Sequence, residues 1–138
     1  MAGNIRLEVV TPERQVVNDE AQIVMAPGSE GEFGVLIGHT PFMTSLKTGI
    51  LRYRDSSGTE RFVFVSGGFA EALPNKVTVL AESAERRRDI DVERARSALE
   101  RAQKRLANKQ DEIDYVRARA ALERALHRIR LVESRGRG

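Results

Sequence analysis

The apolar residues of this chain change their spacing once, near residue 85, and that change limits the possible folds more than any other feature. Before it, short segments such as "NIRLEVV" and "KVTVLAE" alternate apolar with polar residues, as a strand with one buried face does. Turn clusters rich in Gly, Pro, Asn, Asp and Ser, such as "APGSEGE" and "DSSGTE", separate these segments. Residues 1–86 are therefore predicted to form an antiparallel sandwich or barrel of short strands.

After "ERRRD" the apolar residues recur at alternating spacings of three and four, the heptad seam of a helix. Two such seams predict helices over about residues 91–106 and 112–133 within a second part, residues 87–138. Asp111, Glu112 and Asp114 suit the start of the second helix because carboxylates oppose the helix dipole there. With only the polar break "ANKQDE" between them, the helices should form an antiparallel hairpin. The seam positions are Val92, Ala95, Leu99, Ala102, Leu106, Tyr115, Ala118, Leu122, Ala125, Ile129 and Val132.

Alanine occupies four of those seam positions, which lets the helices approach closely but buries little apolar area. Isolated helices of this length are marginal in water. The hairpin is therefore predicted to be loosely docked and able to leave its resting contacts. A hairpin packed permanently on the strand domain is a competing interpretation of the same pattern.

The charge follows the same division of the chain. Residues 1–84 carry 7 Lys and Arg against 10 Asp and Glu, whereas residues 85–138 carry 16 against 10. Arginines on helices can contact nucleic-acid phosphates. Here, however, acidic residues are interleaved with them and aromatic residues are scarce, which is typical of a solvated face with ion pairs. A basic hairpin that reaches an acidic protein surface fits the pattern better than nucleic-acid binding does.

The sequence holds no recognisable catalytic or metal-binding motif, so no metal site is expected. It has no cysteine, and its two histidines, His39 and His127, lack the spacing of metal ligands. Neither G-x-S-x-G nor G-x-x-x-x-G-K-[ST] occurs, and His39 is predicted to be a turn residue bonded to nearby backbone. No signal peptide is expected, and the longest apolar runs are far shorter than a membrane span. A soluble protein is therefore expected, and it could sit beside a membrane.

Several blocks in this order resemble the epsilon subunit of the F-type ATP synthase. They are "LEVVTPER", "GEFGVLIGHTPFMTSLKTG", "VSGGFAEALPNKVTVLAESAER" and "DIDVERA", followed by the two-helix tail, and they cover essentially the whole chain. The resemblance implies a β-sandwich of about ten antiparallel strands followed by a C-terminal helical hairpin. It also implies a non-catalytic, central-stalk rotor subunit that binds the gamma subunit and rests on the ring of c subunits, helping to couple ion flow to ATP synthesis.

The resemblance carries further expectations about partners and regulation. The hairpin would extend along gamma into the alpha/beta catalytic hexamer and inhibit ATP hydrolysis, with its basic residues against the beta subunits. The loop that contains Glu32 and His39 would face the c ring and gamma. The subunit would be peripheral, on the cytoplasmic face of a bacterial plasma membrane.

Some members of the family bind ATP as a regulatory ligand in the folded hairpin, through an I/L-D-x-x-R-A motif and arginines of the last helix. The resemblance implies that the subunit requires no cofactor, with ATP only a regulatory ligand. Guanidinium groups can hold phosphates, and a carboxylate can accept a hydrogen bond from the adenine amino group. The alternative is that Asp91 caps a helix and the arginines form surface pairs. The matching residues are Glu85, Ile90, Asp91, Arg94, Ala95, Arg124 and Arg128.

A different class of function is a stand-alone protein that senses nucleotides or binds nucleic acid. It would explain the arginines but not the glycine-rich block at residues 31–42. Co-purification separates the two classes, because only the rotor subunit should be isolated in a complex with gamma.

Overall fold

The computed structural model describes residues 3–108 and 112–134, apart from the side chain of Ile113. A strand domain comes first, followed by a short 3-10 turn at Arg87–Asp89 and two helices, α1 (Val92–Ala107) and α2 (Glu112–Glu133). The strands are β1 (Ile5–Val10), β2 (Gln15–Gly28), β3 (Gly31–Val35), β4 (Phe42–Ser45), β5 (Gly49–Asp55), β6 (Glu60–Ser66), β7 (Phe69–Leu73), β8 (Lys76–Leu80) and β9 (Ser83–Arg86).

These strands follow one hydrogen-bonded path, β4-β7-β8-β1-β2-β5-β6-β9, with β3 added beside β2. The fourteen-residue strand β2 pairs with β1 through its first half and with β3 and β5 through its second half. A register shift between Ala21 and Ile23 marks an irregularity in its pairing with β5, and such bulges bend a strand. The expected sandwich fold is confirmed, with nine strands in the described residues where about ten were expected. One pairing, β1 with β8, is parallel, whereas the prediction was of antiparallel strands throughout.

The core of the strand domain follows the alternation of the sequence. In β1, Ile5, Leu7 and Val9 are fully buried while Arg6 is exposed. Valines and other apolar residues of the strands near both ends of the path join the same cluster, so one core serves the whole domain. Phe64 of β6 is also fully buried but lies outside this cluster, on the side of the strand that the hairpin covers.

The turn between β5 and β6 is organised by the carboxylate of Asp55. Its Oδ1 accepts hydrogen bonds from the Ser57 hydroxyl at 2.6 Å and from the backbone N–H groups of Ser57 and Thr59 at 3.0 and 2.9 Å. Its Oδ2 accepts from Arg61 Nε at 3.1 Å. These bonds, the Ser57 hydroxyl first, lower the pKa of Asp55 to about 2. The carboxylate therefore stays ionised at acidic pH values where an ordinary aspartate would protonate, and its bonds close the turn that joins β5 to β6.

The two helices pack against each other through the four alanines of the predicted seam, Ala95, Ala102, Ala118 and Ala125, all of which are buried. The prediction for Tyr115 was wrong, because its side chain is 42% exposed. Leu131, which the seam omits, is buried. The physical reason is that α2 contacts β5, β6 and the 3-10 turn as well as α1, so one seam does not describe its buried surface. Asp111, one of the predicted first-turn carboxylates, lies outside the described residues.

Candidate functional site

A cavity of about 500 Å³ opens where the first turns of α1 face α2 and the end of β9. Eight residues line it: Glu85, Asp89, Asp91, Arg94, Ala95, Ala98, Arg101 and Arg128. Three are arginines and three are carboxylates, so the lining is highly charged but close to neutral overall. The volume lies in the range of pockets that hold small molecules.

Helix α1 forms one wall of this cavity. Arg94 and Arg101 are seven residues apart and therefore share one face of the helix, with Ala95 and Ala98 between them. The alanine side chains leave space that larger residues would fill. Both arginines are exposed, so their guanidinium groups can reach a ligand from the helix surface.

Asp91 has a structural role at the start of α1. Its backbone is extended and its Oδ1 accepts a hydrogen bond from the backbone N–H of Arg94 at 3.1 Å. This is the N-cap arrangement, in which a side-chain oxygen satisfies an amide that has no partner inside the helix. The capping alternative for Asp91 is thus confirmed, and the same carboxylate also borders the cavity.

Arg128 of α2 forms the opposite wall, and its guanidinium group already contacts two other residues of the protein. Its Nε donates to Glu85 Oε1 at 2.5 Å, and its guanidinium carbon lies 4.3 Å from the ring centroid of Phe64. A charged hydrogen bond and a cation–π contact both strengthen when they are partly withdrawn from water. The side chains of Arg128 and Glu85 are only 24% and 28% exposed. Together these three residues join α2 to β6 and β9.

The end of β9 is anchored in turn by its neighbour Arg86. Its guanidinium donates to Val16 O at 3.2 Å, to Tyr53 Oη at 3.1 Å and to Asp19 Oδ2 at 3.4 Å. Tyr53 donates its hydroxyl to Asp19 Oδ2 at 2.5 Å. Burial, then this bond to Asp19, raises the pKa of Tyr53 to about 12, so the phenol stays protonated and remains a hydrogen-bond donor even at alkaline pH.

Five of the seven residues predicted for a ligand site line the cavity: Glu85, Asp91, Arg94, Ala95 and Arg128. Ile90 and Arg124 are half-buried and are not among its lining residues. Sequence reasoning missed Asp89, Ala98 and Arg101. The signal for Arg101 was present, because it follows Arg94 by two helical turns on the same face.

The glycine-rich block at residues 31–42 begins with β3, which pairs with β2, and ends at Phe42, the first residue of β4, the strand at the other end of the path from β9. His39 Nε2 is within 2.7 Å of the Leu73 carbonyl oxygen, which confirms a turn histidine satisfied by backbone. The His39 and Phe42 rings are in edge contact at 5.6 Å. Glu32 is paired with Arg52, with 3.3 Å between Oε1 and Nη2, on the exposed surface.

Next to this block the strands β4, β7 and β8 carry an apolar outer face, formed by Met43, Phe69, Leu73 and Leu80. Pairing places Phe69 directly opposite Leu80, and Met43 beside Glu71 of β7. These side chains are 38% to 65% exposed, with Met43 the most exposed. Exposed apolar residues grouped on one face are often found where one protein contacts another.

Two family models match the chain and together span residues 4–133. Residues 4–87 match the ATP synthase, Delta/Epsilon chain, beta-sandwich domain, and residues 88–133 match the ATP synthase, Delta/Epsilon chain, long alpha-helix domain. Among the described residues, no helix is long and apolar enough to cross a bilayer.

Individual relatives agree with the family models. The chain is 66% identical over 135 residues to an ATP synthase epsilon chain of Desulfatibacillum aliphaticivorans, covering 98% of this chain and 96% of that one. It is 65% identical over 135 residues to the one of Desulforapulum autotrophicum, covering 98% and 100%.

Solved structures show the same fold. A chain of the Euglena gracilis mitochondrial ATP synthase, in its OSCP/F1/c-ring structure, is similar with a TM-score of 0.76 and 27% identity, covering 89% of this chain and 78% of that one. A chain of the Tetrahymena thermophila mitochondrial ATP synthase central stalk/c-ring has a TM-score of 0.61 and 14% identity, covering 93% and 96%. This second likeness concerns the fold alone. The protein described here therefore belongs to the ATP synthase delta/epsilon chain family, among its epsilon chains.

Proposed function

We propose that this chain is a non-catalytic rotor subunit in the central stalk of an F-type ATP synthase. It would bind the gamma subunit and rest on the c ring, helping to couple ion flow to ATP synthesis. The observation that carries the proposal is its similarity, along nearly its whole length, to epsilon chains. The solved structures with the same fold come from assemblies named for the c ring and the central stalk. The complex would hold the subunit at the cytoplasmic face of a bacterial plasma membrane.

The surface of the strand domain supports this pair of partners. The apolar outer face offers area that another protein can cover, and a rotating stalk needs a firm apolar attachment. His39 borders this face, because it contacts the Leu73 carbonyl and the Phe42 ring. Glu32 belongs to the same glycine-rich block, where Arg52 of β5 holds it. We propose that the apolar outer face contacts gamma and that the surface around Glu32 and His39 contacts the c ring and gamma.

The hairpin would act as the regulatory element. Its helices meet through alanines, which bury little area, and of the strands α2 contacts chiefly β5 and β6. Such a hairpin can leave the sandwich without unfolding the strand core. Extended along gamma, its arginine-rich helices would reach the acidic surface of the beta subunits in the alpha/beta hexamer and inhibit ATP hydrolysis.

Removing the hairpin tests this inhibitory role. A chain that ends at Arg88 is expected to assemble with gamma and to raise ATP hydrolysis by the assembled enzyme severalfold, because the inhibitory element is gone. The measurement is steady-state hydrolysis at equal complex concentration. A chain that ends at Ser134 is the control, since it keeps both described helices and should match the full chain. Equal hydrolysis with and without the hairpin contradicts the inhibitory function.

The cavity between α1, α2 and β9 supports ATP as a regulatory ligand. Its donor set suits an anionic ligand, because Arg94 and Arg101 present guanidiniums from one helix and Arg128 from the other. A phosphate that bonds to Arg128 would have to displace the Glu85 carboxylate, which frees that carboxylate for the adenine amino group. Since the site needs both helices, ATP would favour the folded hairpin and leave hydrolysis uninhibited.

Calorimetric titration of the isolated full chain with ATP is the direct test of this ligand. We expect binding at millimolar nucleotide or tighter, weakened at least about tenfold by Arg94→Ala through loss of a charged hydrogen bond. Arg94 is an informative position because its exposed side chain makes no described contact that holds the hairpin. Arg119→Ala is the matched control, since Arg119 pairs with Glu123 on the exposed side of α2, with 3.7 Å between Nε and Oε1. Absence of heat at millimolar ATP, or equal losses in the two variants, would rule out the cavity.

A further inference from the structure

The 3-10 turn between the strand domain and α1 contains an arginine that touches the far end of the hairpin. Nη2 of Arg87 donates to the carbonyl oxygens of Val132, at 3.4 Å, and of Ser134. These residues lie 45 and 47 positions further along the chain. The contact therefore joins the point where the hairpin begins to the point where α2 ends.

The position of Arg87 on the strand domain is well defined. It follows directly after β9, whose last residue, Arg86, is held by Tyr53, Asp19 and the Val16 carbonyl. The Arg87 guanidinium also lies 5.8 Å from the ring centroid of Phe62 in β6, within the range of a cation–π contact. The Arg87 side chain is thus held against the strand domain, and the end of α2 docks onto it.

The chemistry at the end of α2 favours a cation. The last carbonyl groups of a helix have no partner within the helix, and together they form the negative end of its dipole. A guanidinium placed there satisfies acceptors and opposes that dipole. Other contacts hold the same turn: Ser134 N–H donates to Arg130 O at 2.9 Å, Ser134 Oγ donates to Leu131 O at 2.7 Å, and Glu133 pairs with Arg96 of α1 at 3.4 Å.

The acceptors that Arg87 uses are available in this arrangement only while the last turn of α2 is helical and lies against the 3-10 turn. Fraying of that turn and departure of the hairpin from the sandwich would each remove them. The Arg87 bonds therefore oppose both the fraying of this turn and the departure of the hairpin. Arg128 lies one turn before Val132 in α2, and it is held by a side-chain carboxylate that a ligand could replace.

We propose that Arg87 is a positioning residue that locks the hairpin in its docked state by capping the C-terminal end of α2. This inference rests on the proposed regulatory function, because it names the contact that must break before the hairpin extends. The lock is independent of the nucleotide cavity, since Arg87 is not among the residues that line it.

Amide hydrogen exchange on the full chain tests the lock. In Arg87→Ala we expect exchange of the amides in the last turn of α2 to rise about tenfold, as the loss of a charged hydrogen bond implies. Exchange in β1, deep in the strand core, should not change and serves as an internal reference that the domain is folded. Arg88→Ala is the matched control: it removes the same charge from the neighbouring, exposed position.

A second variant separates the geometry of the lock from its charge. Arg87→Lys keeps the positive charge but replaces the planar fork with a point charge, which cannot span two carbonyls while lying against Phe62 in the same way. We expect its exchange to fall between those of the parent chain and Arg87→Ala. Exchange in Arg87→Ala equal to that in Arg88→Ala would overturn the lock.

Hydrolysis by the assembled enzyme distinguishes this inference from the function on which it rests. If amide exchange at the end of α2 rises in Arg87→Ala and ATP hydrolysis falls, both the lock and the inhibitory function are supported. If exchange rises while hydrolysis stays the same in both Arg87→Ala and the chain that ends at Arg88, the lock stands and the inhibitory function fails.

Discussion

Replacing Gly68 with alanine is expected to reduce the free energy of unfolding by about 4 kcal/mol, the sum of a strained backbone and a forced rearrangement. Gly68 begins the approach to β7 with φ at +93°, a region that L-residues rarely adopt. A Cβ atom built there would lie 1.9 Å from the Leu80 carbonyl oxygen and 2.9 Å from Ala81 Cα. Both obstacles are backbone atoms of the paired strand and the residue after it, so a side-chain rotation cannot relieve the clash.

Gly58 supplies the matched control for that substitution. Its φ is +88°, close to that of Gly68, but a Cβ there would meet nothing within 4 Å. Gly58→Ala should therefore cost only the backbone strain, about 1 kcal/mol. Guanidinium unfolding followed by far-ultraviolet circular dichroism measures both variants. Equal stability losses in the two would mean that β7 and β8 can separate at little cost, contrary to the close approach described here.

Replacing Phe64 with alanine is expected to destabilise the fold by about 3 to 5 kcal/mol and to release the hairpin. Phe64 is fully buried between β6 and α2, and its ring carries the Arg128 guanidinium at 4.3 Å. Without the ring, Arg128 loses its cation–π partner and faces a gap, while Glu85 alone holds it. The expected result is a population in which α2 has moved away from the sandwich.

Spin labels can measure that movement directly because the chain contains no cysteine of its own. One label is placed at Ser56, in the exposed β5–β6 turn, and the other at Ala120, on the exposed side of α2. Pulsed electron spin resonance measures the distribution of distances between the two labels. In Phe64→Ala this distribution should gain a broad component at longer distance, which should be weaker in the parent chain.

Val63→Ala is the control for this second prediction. Val63 is the neighbouring residue of β6 but belongs to the strand core, on the other side of the strand. Its truncation should cost about 2 kcal/mol and leave the distance distribution unchanged. A distribution that stays narrow in Phe64→Ala, or broadens equally in Val63→Ala, would show that Phe64 does not dock the hairpin.

Local periodicity accounts for the parts of the fold that were predictable. Strand β1 and the alanine seam of the hairpin could be read from sequence because each depends on the spacing of neighbours within one element. Short strands were harder: β4 and β9 have four residues each, too few for a period to stand out. The parallel pairing of β1 with β8 joins segments about seventy positions apart, which no local pattern encodes.

The candidate site shows the same limit. The N-cap role of Asp91 could be predicted from the helix start, since an N-cap is a local feature, whereas Arg94 entered the site only through the family resemblance. The pairing of Glu85 with Arg128, 43 residues apart, depends on how α2 lies over β6. So does the absence of Ile90 and Arg124 from the cavity lining.

By itself, the sequence determined the division into a strand-rich first part and a two-helix second part, because alternation and heptad spacing act between residues close in the chain. Only the tertiary structure decided that α2 has a second buried face, that Phe64 belongs to it, and that Arg87 meets the last carbonyls of α2. The physical reason is that contacts between distant segments depend on the packing of whole elements, and the residue types at either end of such a contact are compatible with many other partners.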